Sequence, residues 1–169
     1  MRNEKTTILG IDPGYGRLGY AILKKTPKKE ELLEYSCIEN PAGRKYHEKI
    51  STITQKIEEI IKKFRPSVLA IEKIYFNKNQ KTALQVAEVK GIIIHLALKN
   101  KMKIIEYTPL QVKIATCGYG KASKNQMIKM VNLLTDLKKT PKHDDTYDAI
   151  ALCLTCAARN EHLWTKYSI

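Results

Sequence analysis

Long apolar runs are missing from this chain. No stretch reaches eighteen consecutive apolar residues, which excludes a membrane-spanning helix. The first residues, MRNEKTTILG, lack the apolar core of a secretory leader. Cysteine is sparse: Cys37, Cys117, Cys153 and Cys156. Only the last two form a C-x-x-C, inside DAIALCLTCAA, and neither a second pair nor a histidine stands at zinc spacing. They read as small core residues of a helix, with a metal or redox pair as the lesser reading. A reducing, cytoplasmic setting is expected. Internal repeats and low-complexity tracts are also absent. Negative charge is in short supply: 17 Asp and Glu face 30 Lys and Arg, a formal +13. Solubility explains part of such an excess. On a small domain it points more strongly to a polyanionic partner, nucleic acid ahead of an anionic membrane.

What is present suffices for one core. The chain has 169 residues, 43% of them hydrophobic, so a single domain over residues 1–169 is expected. Thr7–Asp12, Leu18–Leu23 and Leu32–Ile38 read as three strands joined by short turns, an antiparallel meander. From Tyr46 the period changes. Tyr46, Ile50, Ile53, Ile57, Ile60 and Phe64 recur every three or four residues, an amphipathic helix that Arg65-Pro66 stops. Val68–Ile71 is a short apolar run that suits a strand buried on both faces, and Glu72 follows it. Thr82–Lys99 reads as a helix apolar nearly all round, with Gly91 inside it at a propensity cost of about 1 kcal/mol. Either it is sandwiched in the core or its second apolar face meets another subunit. Lys103–Tyr107 is a fifth strand. Helices follow at Pro109–Cys117, Lys124–Leu134 and Asp145–Arg159. The order βββαβαβααα predicts an α/β fold, a mixed five-stranded sheet with helices on its faces.

Three stretches place an acid where a structural residue would be expected. Asp12 ends the first strand, within GIDPGYGRLGYAI. Glu72 ends the fourth. Asp145 and Asp148 lie three apart in the first turn of the last helix, hence on one face. Each has an ordinary explanation: a turn residue, an exposed strand end, a helix cap. With strands one and four adjacent and parallel, however, Asp12 and Glu72 emerge at one edge, and a helix returning there adds the other two. Four carboxylates within roughly 5 Å repel by about 3 kcal/mol per pair at an effective dielectric of 20. Cations or shared protons must offset that. An all-oxygen donor set favours Mg²⁺ or Mn²⁺ over zinc. Two such ions about 4 Å apart are a standard device for phosphodiester hydrolysis.

GIDPGYGRLGYAI, AIEKIYFNKN and the D-x-x-D-A-I-A of Asp145–Ala151 together resemble the RuvC family of crossover junction endodeoxyribonucleases, nearly end to end and in order. The resemblance implies a ribonuclease H-like fold, with three antiparallel strands followed by two parallel ones. It implies a homodimer that cuts two opposed strands of a four-way (Holliday) DNA junction, leaving 5′-phosphate and 3′-hydroxyl ends. Asp12, Glu72, Asp145 and Asp148 take the family's metal-ligand positions, for two Mg²⁺ with Mn²⁺ able to substitute. Lys113 and Lys124 match positions facing the scissile phosphate and DNA backbone, Lys113 offsetting developing negative charge. Tyr75 matches an aromatic that stacks at the junction, where phenylalanine is usual. His143 and Asp144 stand beside Asp145 as rival fourth ligands, and spacing to Asp148 favours Asp145. The resemblance also implies a branch-migration helicase as partner. Dimerisation through Thr82–Lys99 is the subunit-interface reading of that helix.

Other readings start from the same residues. Actin-like ATPases and sugar kinases use an acid, a glycine turn and a hairpin like GIDPGYGRLG, but need two such domains, and one copy occurs here. A non-catalytic DNA-binding module would be expected to lose an acid. A related nuclease acting on flaps or RNA would keep the same metal site.

Overall fold

A computed structural model describes residues 5–74 and 80–158. Five strands form one sheet: β1 (Thr6–Asp12), β2 (Arg17–Lys25), β3 (Glu30–Glu39), β4 (Val68–Glu72) and β5 (Lys103–Tyr107). The helices are α1 (Tyr46–Phe64), α2 (Gln80–Lys99), α3 (Pro109–Cys117), α4 (Lys124–Leu134) and α5 (Asp144–Ala158). The spatial order is β3-β2-β1-β4-β5. β1 pairs antiparallel with β2 and β2 with β3, whereas β4 runs parallel to both β1 and β5. The expected element order and mixed sheet are both present. The hairpin strands run past the apolar stretches that marked them, because Lys24↔Glu31 and Lys25↔Glu30 continue the ladder with opposite charges.

Strand alternation divides the core in two. Leu9, Ile11, Leu18, Ile22, Leu69 and Ile71 point to one face, under Ile53, Ile57 and Ile60 of α1 and Val89, Ile93 and Leu96 of α2. Ile8, Ala21, Leu23, Val68 and Ala70 point to the other, under α5, α3 and α4. Ala149 and Cys153 of α5 lie against Gly10 of β1, and Cys156 and Ala157 belong to the same buried cluster, so the C-x-x-C pair is core packing.

That face is packed unusually close. A methyl group on Gly10 would overlap the Ala149 carbonyl oxygen and the Cys153 sulfur. One on Gly19 would overlap the Asp145 carbonyl oxygen. Two strand glycines therefore let the backbone of α5 settle directly on β1 and β2.

α3 and α4 each start on a reciprocal capping box, Thr108 with Gln111 and Ser123 with Gln126. The second box fixes Lys124 as the first residue of α4. α1 ends where Arg65, in the left-handed region at φ 46°, donates its N–H to the Ile61 carbonyl.

Candidate active site: four carboxylates at one sheet edge

The register explains how distant acids meet. β1 and β4 pair in parallel up to Ile11↔Ile71, so Asp12 and Glu72 are the next residues of each strand. Parity then selects the side. Ile11 and Ile71 face α1 and α2, so Asp12 and Glu72 turn to the α5 face. Across the other edge of β1, Asp12 pairs with Gly19, the residue on which the Asp145 backbone rests. One turn of α5 carries Asp148 to the same place.

The charges register one another. The Asp12 carboxyl is held well above the ordinary value, chiefly by burial, then by Asp148, Glu72 and Asp145, with Lys124 opposing. Burial raises Glu72, and Asp148 adds to it, while Lys124 and Lys90 oppose. Burial also raises Asp148, against a hydrogen bond and charge from Lys124. The other three predicted acids thus lie within electrostatic reach of Asp12. Desolvation with too little positive charge is the common cause.

Lys124 brings positive charge to the site: its ammonium pairs with an Asp148 carboxylate oxygen. Lys113, the other lysine singled out, is half-buried on α3, where its charge bears on Cys117 one turn later. Tyr75 lies outside the described residues. Among the described residues no three His, Cys, Asp or Glu side chains converge into a ready-made cation cage.

The donor set nonetheless fits a hard divalent cation. It is all carboxylate, burial and then mutual repulsion hold three of the acids above their ordinary values, and Asp145 Oδ2 is buried without a hydrogen-bond donor among the described residues. Asp145 Oδ2 is instead held electrostatically, 3.2 Å from Arg17 Nε. His143 is occupied elsewhere. Its Nε2 is 2.8 Å from Glu39 Oε1 and its Nδ1 3.4 Å from Arg17 Nη1. Asp144 is exposed and reaches the site only through its effect on Asp148.

Sequence reasoning missed three contributors. Gly19 carried a signal, a glycine inside an apolar alternation, which marks close backbone approach. Arg17 and Glu39 carried none, since they face each other across β2 and β3 and meet α5 only in three dimensions.

Comparison with known proteins agrees with this picture. A family model described as "Crossover junction endodeoxyribonuclease RuvC" matches residues 8–156. A protein of that name from Halothermothrix orenii is 41% identical over 160 residues, 95% of this chain and 96% of that protein. Another from Caldanaerobacter subterraneus subsp. tengcongensis is 42% identical over 154 residues, covering 90% and 93%. Among solved structures, Thermus thermophilus RuvC in complex with Holliday junction substrate superposes with a TM-score of 0.81. Its identity is 29%, over 89% of this chain and 92% of that one.

Proposed function

This chain belongs to the RuvC family of crossover junction endodeoxyribonucleases, enzymes that resolve Holliday junctions, and we propose that Asp12, Glu72, Asp145 and Asp148 are where it cuts. The observation that carries the assignment is the shared register and parity of Asp12 and Glu72, with α5 seated on Gly19 above them. RuvC-family nucleases are metal-dependent. Here the four acids would hold two Mg²⁺ ions, with Mn²⁺ able to substitute. The ions' contribution would be to activate water and stabilise the departing 3′-oxygen, so that cleavage leaves a 5′-phosphate.

The chain's own residues do the rest. The buried, low-dielectric packing of Ala70 and the start of α5 on this face strengthens each charge interaction at the site. Asp12, which burial and the other three acids hold well above the ordinary carboxyl value, would be among the ligands holding the ions. Lys124 gives Asp148 a counter-charge before substrate arrives. Lys113 on α3 and Tyr75 would be DNA contacts, Lys113 offsetting charge on the attacked phosphate. The formal +13 supplies phosphate affinity with little sequence information.

The reading treats residues 1–169 as one ribonuclease H-like nuclease domain working as a homodimer, in the cytoplasm, beside a branch-migration helicase. Among the described residues no helix is long and apolar enough to cross a membrane. α2 supports the dimer. Its inner side buries Val89, Ile93, Leu96 and Ala97, while Leu84 and Leu98 are 65% and 62% exposed. Gly91 lies midway between them, and a side chain there would enter open space. Leu84, Gly91 and Leu98, seven apart, make the outer stripe of a helix-packing face. Gly91→Glu adds charge without touching the monomer's core, and should convert the dimer to a folded monomer in sedimentation. An unaltered dimer would exclude this face.

The direct test is a synthetic four-way junction with Mg²⁺, alongside linear duplex, flap and RNA–DNA hybrid. Paired nicks on opposed strands of the junction alone are expected. Equal cutting of the flap or hybrid would replace junction resolution with a broader nuclease activity.

A further inference from the structure

Around Asp145 lies a further set of contacts that the carboxylate site does not use. Arg17 opens β2 and Glu39 closes β3, and the two are register partners across the ladder. His143, just before α5, stands between them, with Nε2 2.8 Å from Glu39 Oε1 and Nδ1 3.4 Å from Arg17 Nη1. Arg17 Nε completes the set at 3.2 Å from Asp145 Oδ2. Lys142 Nζ adds a weaker contact to Glu39, at 3.8 Å. The Thr146 N–H donates to the His143 carbonyl, so the first turn of α5 is built on the histidine that Glu39 holds.

We propose that Arg17 is a positioning residue for the nuclease reaction, holding the Asp145 carboxylate in place while it is itself braced by His143, which Glu39 holds in turn. The proposal rests on the carboxylate-site assignment above. Two features favour it over a plain surface ion pair. First, the guanidinium spans two residues of the α5 start from different nitrogens, which one ammonium cannot do. Second, the oxygen it approaches, Asp145 Oδ2, is buried, so the contact is shielded from the water that weakens an exposed ion pair. Gly19 fixes the height of the Asp145 backbone, and Arg17 fixes the direction of its side chain. This is the arrangement of an outer partner that orients a ligating carboxylate.

Charge and positioning predict opposite signs. If Arg17 were merely a counter-ion, removing it would deepen the negative potential and tighten cation binding. If it positions Asp145, removing it loosens binding despite the gain in negative charge. The experiment uses the full-length chain as wild type, Arg17→Gln, Arg17→Lys and Asp145→Asn. Mn²⁺ affinity is read from the electron paramagnetic resonance signal of free Mn²⁺, and kcat and KM from cleavage of a four-way junction. Arg17→Gln should weaken Mn²⁺ binding and lower kcat, each about tenfold, with KM for the junction unchanged. Arg17→Lys should not restore either. Tighter Mn²⁺ binding by Arg17→Gln, or full rescue by lysine, would overturn the proposal while leaving the carboxylate site intact. Asp145→Asn must lose both Mn²⁺ affinity and cleavage. If it keeps them, the site assignment itself falls, and the role of Arg17 with it.

Discussion

The two faces of the sheet are packed to different rules. Over Leu9, Ile11, Ile22, Leu69 and Ile71, α1 and α2 meet the strands through interdigitating isoleucine and leucine side chains. Over Gly10 and Gly19, α5 meets them at backbone distance, its Ala149 and Asp145 carbonyl oxygens and the Cys153 sulfur standing where a glycine side chain would be. The first arrangement is compliant, because branched aliphatics repack when one is trimmed. The second is not. It converts the height of a helix into the position of Asp145 and Asp148, and a backbone overlap can be relieved only by moving the helix. One face supplies stability and the other supplies geometry. The acids that depend on geometry, Asp12 and Glu72, turn to the second face by strand parity.

The comparison is broken most severely at its charged end. Asp12→Asn should lower junction cleavage roughly a thousandfold or more, the several kcal/mol expected when a metal-binding carboxylate is lost. It should leave junction binding largely intact. The same change should stabilise the metal-free protein, by about 1 kcal/mol, because it removes a buried charge surrounded by like charges. The sign follows from the raised carboxyls. Asp12, Glu72 and Asp148 hold their protons more tightly folded than unfolded. In EDTA their contribution to stability is therefore complete below the ordinary carboxylate range and is lost as pH rises through the elevated values. Melting curves of wild type and Asp12→Asn should diverge as pH increases, and a divalent cation should close the gap. Parallel curves would mean that the cluster stores no such strain.

Two single truncations or additions then test the faces against each other. Gly19→Ala should displace the start of α5 and cost about a hundredfold in cleavage per folded molecule, the penalty for moving a catalytic group by about 1 Å. Ile57→Ala, fully buried on the sheet side of α1, should cost about 2–5 kcal/mol of stability and little activity per folded molecule. Urea unfolding and active-site-normalised rates separate the two. If Gly19→Ala keeps the parental rate, α5 is not a rigid carrier of the acids.

The same contrast governs what the sequence revealed. Order and type of the elements were legible because each buries a periodic apolar face: Ile53, Ile57 and Ile60 on α1, or Ile8 and Ala21 against Leu9 and Ile22 on the hairpin. The convergence of Asp12, Glu72, Asp145 and Asp148 was legible because acids at strand ends and in a helix's first turn interrupt that periodicity. What held them in place was less so. Gly19 shows only an absent side chain, whose meaning depends on which helix lies above. Arg17 and His143 are 126 positions apart, and nothing in either local sequence announces the contact. The pairing of Lys124 with Asp148 joins two helices whose relative placement no periodicity encodes.

Lys124 gives the smallest and most discriminating effect. It begins α4 beneath the Ser123 capping box, half-buried, with its ammonium on Asp148. A single ammonium does not fully neutralise Asp148 and a DNA phosphate at once. If Lys124 turns to a phosphate when the junction binds, the complex gains one counterion-releasing contact. Lys124→Ala should then flatten the plot of log affinity against log salt by about 0.9 of a unit of slope. If Lys124 serves only as the resident partner of Asp148, the slope should stay parental while the carboxyls of Asp12, Glu72 and Asp148 rise further, since each is now held down by that ammonium. Junction affinity across a salt series, measured in EDTA so that nothing is cut, separates a DNA contact from an internal counter-charge.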